Sequence, residues 1–189
     1  MRNFIRSLFE RKETPKVEIS LAQPGDERAI TDVMYKSWLF AYPNKDRGIT
    51  EDDIHHRWGS AFSEEGLAKR RAEFEHPSEK ERVFVAKEHG KIIGMCRAIK
   101  DETGNRVQAI YVDPTVRGKG TGRAPWEAAQ KFFDPHKDTY VDVVDYNKQA
   151  IGFYEKLGFR DTGRRKQEER FRMKSGAIFT EMEMVRKAP

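Results

Sequence analysis

Between Asp113 and Arg123 the chain reads DPTVRGKGTGR, and this stretch restricts the possible folds more than any other. A β-prone run, RVQAIYV over 106–112, leads into it, and WEAAQKFF leaves it with helical spacing. A strand that passes into a helix through glycines brings bare backbone to the mouth of the helix. The first-turn N–H groups there have no internal acceptors and carry partial positive charge. Gly118, Gly120 and Gly122 remove side chains, and Arg117, Lys119 and Arg123 add cations. With Thr121 between the last glycines, this combination suits a phosphate or pyrophosphate. Two nucleotide loops fail on spacing. Lys119 is followed by Gly120, so the Ser or Thr that holds magnesium in a P-loop is missing. Position 123 is Arg, where a dinucleotide fingerprint requires Gly.

Strand and helix signals surround the loop. KVEISLAQ (16–23) reads as a strand. In the helix that follows, Asp26 is the expected cap, and Ile30, Val33, Met34, Ser37 and Trp38 recur at helical spacing. Thr50 before three acids starts a second helix, and EEGLAKRRAEFE forms a third. RVFVAKE (82–88) and KIIGMCRAI (91–99) pair through an HG hairpin, and RVQAIYV follows. Beyond the loop come a helix to about 133, a buried strand at 139–146, and a helix at 147–158 between Asn147 and Gly158. The remainder reads as two strands with a hairpin turn at KSG. In the last of them Ile178, Thr180, Met182 and Met184 alternate with Phe179, Glu181 and Glu183. Strands mixed with crossover helices in this order predict an α+β fold with a mixed sheet.

The 189 residues fit one domain, assigned to 16–189. Residues 1–15 form an extension with Phe4, Ile5, Leu8 and Phe9 on one face of a potential helix. It either packs or frays, or it lies on a membrane surface. Charged residues reach 35%, yet aromatics at 11% argue against wholesale disorder. A net charge of +5 with interspersed signs suits an anionic ligand. Nucleic acid would require a one-signed stripe, and acids and amides interrupt GRRKQEER, so no nucleic-acid partner is expected. Cys96, the sole cysteine, leaves no internal disulfide and no cysteine-type metal site, which favours a reducing, cytoplasmic setting. No apolar run approaches the roughly 18–20 residues of a membrane span.

The motifs now become specific. VDPTVRGKGTG resembles the acyl-CoA-binding motif of the GNAT superfamily of N-acyltransferases, Arg/Gln-x-x-Gly-x-Gly/Ala, through Arg117, Gly120 and Gly122. VVDYNKQAIGFYEKLGFRDTG resembles the second family motif through Asn147, Ala150, Phe153, Tyr154, Lys156, Gly158 and Phe159. The resemblance covers about 16–185 and is weakest over 24–76. It implies a mostly antiparallel sheet of about six to seven strands with a splayed pair, 106–112 and 139–146, and helices on both faces. It also implies acetyl-CoA as co-substrate, no metal, and direct transfer to a primary amine in a ternary complex. The acceptor is then a small amine such as a polyamine; the alternatives are a protein N-terminus or lysine, or a non-catalytic acyl-CoA-binding module. The chain is then a monomer or a homodimer.

In that frame pantetheine lies in the splayed gap against the backbone of Ile110, Tyr111 and Val112. Gly118, Lys119, Gly120, Thr121, Gly122 and Arg123 take the pyrophosphate. An N–H near Tyr111–Val112 serves as the oxyanion donor. Lys156 joins the cofactor set, and Asn147 bonds pantetheine, caps its helix, or both. An alkyl ammonium with a pKa near 10.4 must lose a proton before attack, and a thiolate with a parent pKa of roughly 8.5 must be stabilised as it leaves. Tyr154 is the candidate acid, against the alternative that it only packs. The strand before the loop, where family members often carry Glu, offers Gln108 and no acid before Asp113. Asp142 is either the base or a solvated strand-edge acid, and a water chain is the other route. For the acceptor wall the candidates are Trp38, Tyr42 and Asp52, unless Trp38 is core and the acids only start a helix. The adjacent His55 and His56 face different ways on a helix and make no metal site. Pro125 costs a helical bond if its helix begins before about residue 121.

Overall fold

A computed structural model describes residues 17–117 and 121–189; the N-terminal extension and the loop residues Gly118, Lys119 and Gly120 lie outside the described residues. The chain runs β1 (Glu18–Leu21), α1 (Glu27–Ala41), α2 (Glu51–Gly59), α3 (Glu64–Glu75), β2 (Glu81–Glu88), β3 (Lys91–Lys100) and β4 (Asn105–Val112). It continues with α4 (Arg123–Phe132), β5 (Thr139–Val144), α5 (Lys148–Lys156), β6 (Arg160–Lys166) and β7 (Glu181–Arg186). The strands form one seven-stranded sheet in the order β1-β2-β3-β4-β5-β7-β6. Every neighbouring pair is antiparallel except β4–β5. No helix among the described residues is long and apolar enough to cross a membrane.

Local chemistry accounts for most boundaries. His89 and Gly90 sit at φ 50° and 75°, the left-handed pair that a two-residue hairpin needs between β2 and β3. Thr50 opens α2 with a full capping box: its hydroxyl accepts from the Asp53 N–H at 3.1 Å, and the Asp53 carboxylate accepts from the Thr50 N–H at 2.9 Å. Asn147 caps α5 by accepting from the Ala150 N–H at 3.1 Å. The helix ends in a Schellman motif: Phe159 N–H donates to the Tyr154 carbonyl and Gly158 N–H to that of Glu155, with Gly158 at φ 92°. Phe159, fully buried, packs its ring 5.4 Å from Tyr154, the apolar contact that accompanies this motif.

Three sequence readings need correction. Asp26 does not cap α1: its carboxylate accepts from the Gln23 N–H and pairs with Lys87, so tertiary pairing overrides the local role. KSG is a turn, closed by Gly176 N–H on the Met173 carbonyl, but it lies within a long connection, and β7 begins only at Glu181. β1 is shorter than KVEISLAQ suggests, because it is an edge strand paired to β2 over four residues. Pro125 costs nothing: α4 starts at Arg123, so Pro125 is its third residue, where an N–H has no helical acceptor.

Helices cover both faces. On one, Ile30 and Val33 of α1 and Phe74 of α3 pack on Val85, Ile92 and Met95. On the other, Trp126 and Ala129 of α4 join Cys96, Val107, Val141 and Phe159.

Candidate active site

The site begins where β4 and β5 part. They pair only over Asn105–Val107 and Thr139–Val141. At that point β4 carries a bulge: Arg97 pairs with Ala109 and Ala98 with Val107, leaving Gln108 without a partner on β3. A bulge bends its strand, so β4 turns away from β5 and opens a gap. Carbonyl directions alternate along a strand. Asp113 N–H donates to Ile93 on β3, and the Tyr111 carbonyl lies 3.3 Å from the position a Cβ on Gly94 would take. Tyr111 therefore turns its backbone to β3, while Ile110 and Val112 turn theirs to the gap. Of the three residues expected to offer backbone to a ligand, Tyr111 contributes its side chain instead.

A cleft of about 590 Å³ occupies the gap on the α5 side. Of the residues that the sequence assigns to the cofactor, Ile110, Val112, Arg117, Thr121, Gly122, Asn147 and Lys156 line it, as does Tyr154, the candidate acid. Arg123 behaves differently, and Asn147 takes the capping role, one of its alternatives. Arg123 does not line the cleft, and its largely exposed side chain pairs with Glu127 at 2.9 Å. Asn147 lines the cleft while its side chain caps α5, so capping occupies its oxygen. Gly122 keeps the floor open: a Cβ there would stand 3.4 Å from Val112 Cγ2 and 3.5 Å from the Phe153 ring. Burial pulls the Arg117 guanidinium below its usual pKa, and its ring partner is Phe40 at 4.3 Å. Ser37, read in the sequence only as part of a helix face, donates its hydroxyl to the Val112 carbonyl at 2.8 Å.

Tyr154 is buried at 5% exposure, and among the described residues no hydrogen bond engages its hydroxyl. Burial, reinforced by Cys96 and Tyr111, pushes this phenol well above the ordinary range, so it stays protonated.

A second cavity of about 710 Å³ lies on the opposite side of the gap, between the sheet and α1–α3. Trp38 and Tyr42 line it, and Trp38 Nε1 donates to the Tyr111 hydroxyl at 2.9 Å. The two cavities share Tyr42, Gln108, Ala109, Tyr111, Asp142 and Val144 as walls. Asp52 lies elsewhere: its side chain is 76% exposed, pairs with Lys174 at 3.3 Å and lines neither cavity. Helix-start chemistry explains it, since Asp52 falls on the outer face of the first turn of α2. His55 Nδ1 meets the Tyr35 hydroxyl at 2.7 Å. Among the described residues no group of three His, Cys, Asp or Glu side chains is arranged to hold a metal ion.

Asp142 faces this second cavity and is not a solvated edge acid. Its Oδ2 is held by Arg106 at 2.6 Å and Lys166 at 2.9 Å. The residue missed by the sequence reading is Glu181. It is 9% exposed, lines the second cavity, and its buried Oε2 has no partner among the described residues. Burial, then the charge of Asp142, raises its carboxyl to about 7. Its signal in the sequence was Phe179, which alternation assigns to the same face of the last strand.

A family model for the acetyltransferase (GNAT) domain matches residues 45–185. The chain belongs to the GNAT acetyltransferase family. Over 62 residues, 33% of the chain, this GNAT sequence is 40% identical to the peptidyl-lysine N-acetyltransferase YjaB of Escherichia coli K12. The match spans about two fifths (40%) of that relative's length. Over 86 residues it is 31% identical to the glucosamine 6-phosphate N-acetyltransferase of Trypanosoma brucei brucei, covering 42% of this chain and 58% of that one. Among solved structures, the PaiA N-acetyltransferase of Thermoplasma acidophilum in complex with coenzyme A superposes with a TM-score of 0.69 at 18% identity, over 91% of this chain and 99% of that one. At that identity the likeness is one of fold: the seven-stranded mixed sheet with helices on both faces is the GNAT architecture.

Proposed function

We propose that the protein transfers an acetyl group from acetyl-CoA to the primary amine of a small molecule, by direct attack in a ternary complex. The observation that carries this reading is the pair of cavities sharing walls across the β4–β5 gap, with Tyr154 lining one and Glu181 the other. Pantetheine fits the gap by adding a strand to the free backbone of Ile110 and the Val112 N–H, the Val112 carbonyl being engaged by Ser37. Arg117, Thr121, Gly122 and the N-terminus of α4 suit the pyrophosphate. Arg123 has its side chain engaged elsewhere and offers only its backbone N–H.

On the acceptor side, Glu181 is the base. Its carboxyl at about 7 is ionised for much of the neutral range and still basic enough to take a proton from a docked ammonium. Asp142 is less suited, because two cations already engage its Oδ2. The neutral amine attacks the thioester carbonyl, and the oxyanion is received by the Val112 N–H. The nitrogen gives up its second proton to solvent, the C–S bond breaks, and the departing sulfur accepts a hydrogen bond from Tyr154. A phenol this weakly acidic stabilises the thiolate chiefly by hydrogen bonding, since full transfer to a base of roughly pKa 8.5 is uphill. The thiolate then takes its proton from solvent. The balance is ammonium plus acetyl-CoA giving amide, coenzyme A thiol and one proton.

The similarity to YjaB favours a second reading, acetylation of peptidyl lysine. Thiol release from acetyl-CoA, measured with a panel of small amines and with lysine peptides, tests both. Faster turnover of small amines supports the first reading and faster turnover of peptides the second. Coenzyme binding without turnover of any acceptor leaves a non-catalytic module.

A further inference from the structure

The acceptor cavity is lined by six cations, Arg57, Arg70, Arg97, Arg106, Lys166 and Arg170, against two acids, Asp142 and Glu181. Four of the cations are answered by carboxylates. Arg97 pairs with Glu73 and Glu81, Arg106 with Asp142, Lys166 with Asp142 and Glu168, and Arg170 with Glu168. Arg57 and Arg70 have no carboxylate partner among the described residues.

Their surroundings sharpen the point. Arg57 packs against the neighbouring rings of Trp38 and Phe171, with its guanidinium carbon 5.2 Å from each ring. One nitrogen donates to the Arg170 carbonyl at 2.8 Å; among the described residues its other donors are unused. Arg70 Nη1 reaches only the thioether of Met34 at 3.3 Å, and its buried Nε has no partner. Desolvation is the leading influence on both groups and pulls both pKa values down. A half-buried cation without an ion-pair partner is costly, and a planar guanidinium with open donors is shaped to take two oxygens of a phosphate or carboxylate side by side.

Resting on the acetyltransferase reading above, we infer that the acceptor amine carries an anionic group, a phosphate or carboxylate, which docks on Arg57 and Arg70 while its amine is delivered to Glu181. A polyamine, by contrast, would bring further positive charge to a wall that already has it in excess. The cavity thus separates two tasks: unpaired guanidinium groups hold the anionic end, and the unpaired carboxylate receives the proton.

Matched amines test this: 2-aminoethyl phosphate against ethanolamine, glucosamine 6-phosphate against glucosamine, aspartate against asparagine, with spermidine as the cationic arm. Each is titrated calorimetrically into the coenzyme A-loaded protein, so the comparison holds whether or not a given amine is turned over. In at least one pair the anionic member is expected to bind about 10-fold or more tightly than its neutral partner. In Arg57→Gln and Arg70→Gln that ratio falls several-fold, and Arg57→Lys keeps part of it. Neither arginine lines the coenzyme cleft, so unchanged coenzyme A affinity certifies that the variants fold. Equal binding within every pair, or tighter binding of spermidine, overturns the inference. Failure to bind coenzyme A at all appears before any acceptor is added, and it sinks the acetyltransferase reading instead.

Discussion

Asp142 and Glu181 share one face of the β5–β7 ladder on a diagonal, Asp142 opposite Glu183 and Glu181 opposite Val144, and only Asp142 is held by cations. The charge of Asp142 reinforces the burial that raises Glu181 to about 7. The acetyl-transfer rate should therefore climb as pH passes through about 7, because the base works only after losing its proton. Glu181→Gln should lower kcat by about 100-fold, within the range for a lost general base, and abolish this limb. A pH–rate profile of both proteins checks this; an unchanged limb in the variant removes Glu181 from the role.

The same proton couples to stability. The fold holds the Glu181 proton up to about pH 7, whereas the unfolded chain releases it near 4.5. The stabilisation is fully present below about 4.5 and is lost as pH rises through 7. The loss is at most about 3.5 kcal/mol, at about 1.4 kcal/mol per tenfold change in proton affinity. Glu181→Gln has no such titration. Its Tm should exceed that of the parent at pH 8, and the difference should shrink toward pH 5, as thermal melts at the two pH values would reveal.

Gly122 leaves open the space between Val112 and Phe153 in the cleft proposed for acetyl-CoA. Its φ of −75° suits any residue, so Gly122→Leu alters the cleft without straining the backbone. The KM for acetyl-CoA should rise about 10-fold or more, as expected when about 1.4 kcal/mol of binding is lost. Steady-state titration of acetyl-CoA measures it.

Thr50→Ala removes the capping box of α2, the helix that carries Arg57 and Trp58 into the wall of the second cavity. Losing a cap of this kind costs about 1 kcal/mol. Urea denaturation should show a lower midpoint with an unchanged slope.

The sequence made most of the frame legible, because local rules govern it. The Asn147 and Gly158 boundaries of α5 and the HG hairpin follow from backbone chemistry within a few residues. What stayed hidden depends on distant partners. Asp26 looks like a cap until Lys87 arrives from β2. Asp52 looks like an acceptor ligand until the rotation of α2 turns it outward. The opening of the gap comes from a bulge at Gln108, a residue with no turn chemistry of its own. Glu181 reads as one acid in an alternating strand; its burial appears only once β5, β6 and the 167–180 connection close around it.

In the proposed mechanism the cleft in the β4–β5 gap brings the thioester sulfur of acetyl-CoA to Tyr154. Thiol release by Tyr154→Phe, measured together with calorimetric titration of coenzyme A, tests it most directly. The account predicts a fall in kcat of at least about 10-fold, with coenzyme A affinity held within about twofold. Turnover equal to that of the parent protein would contradict it.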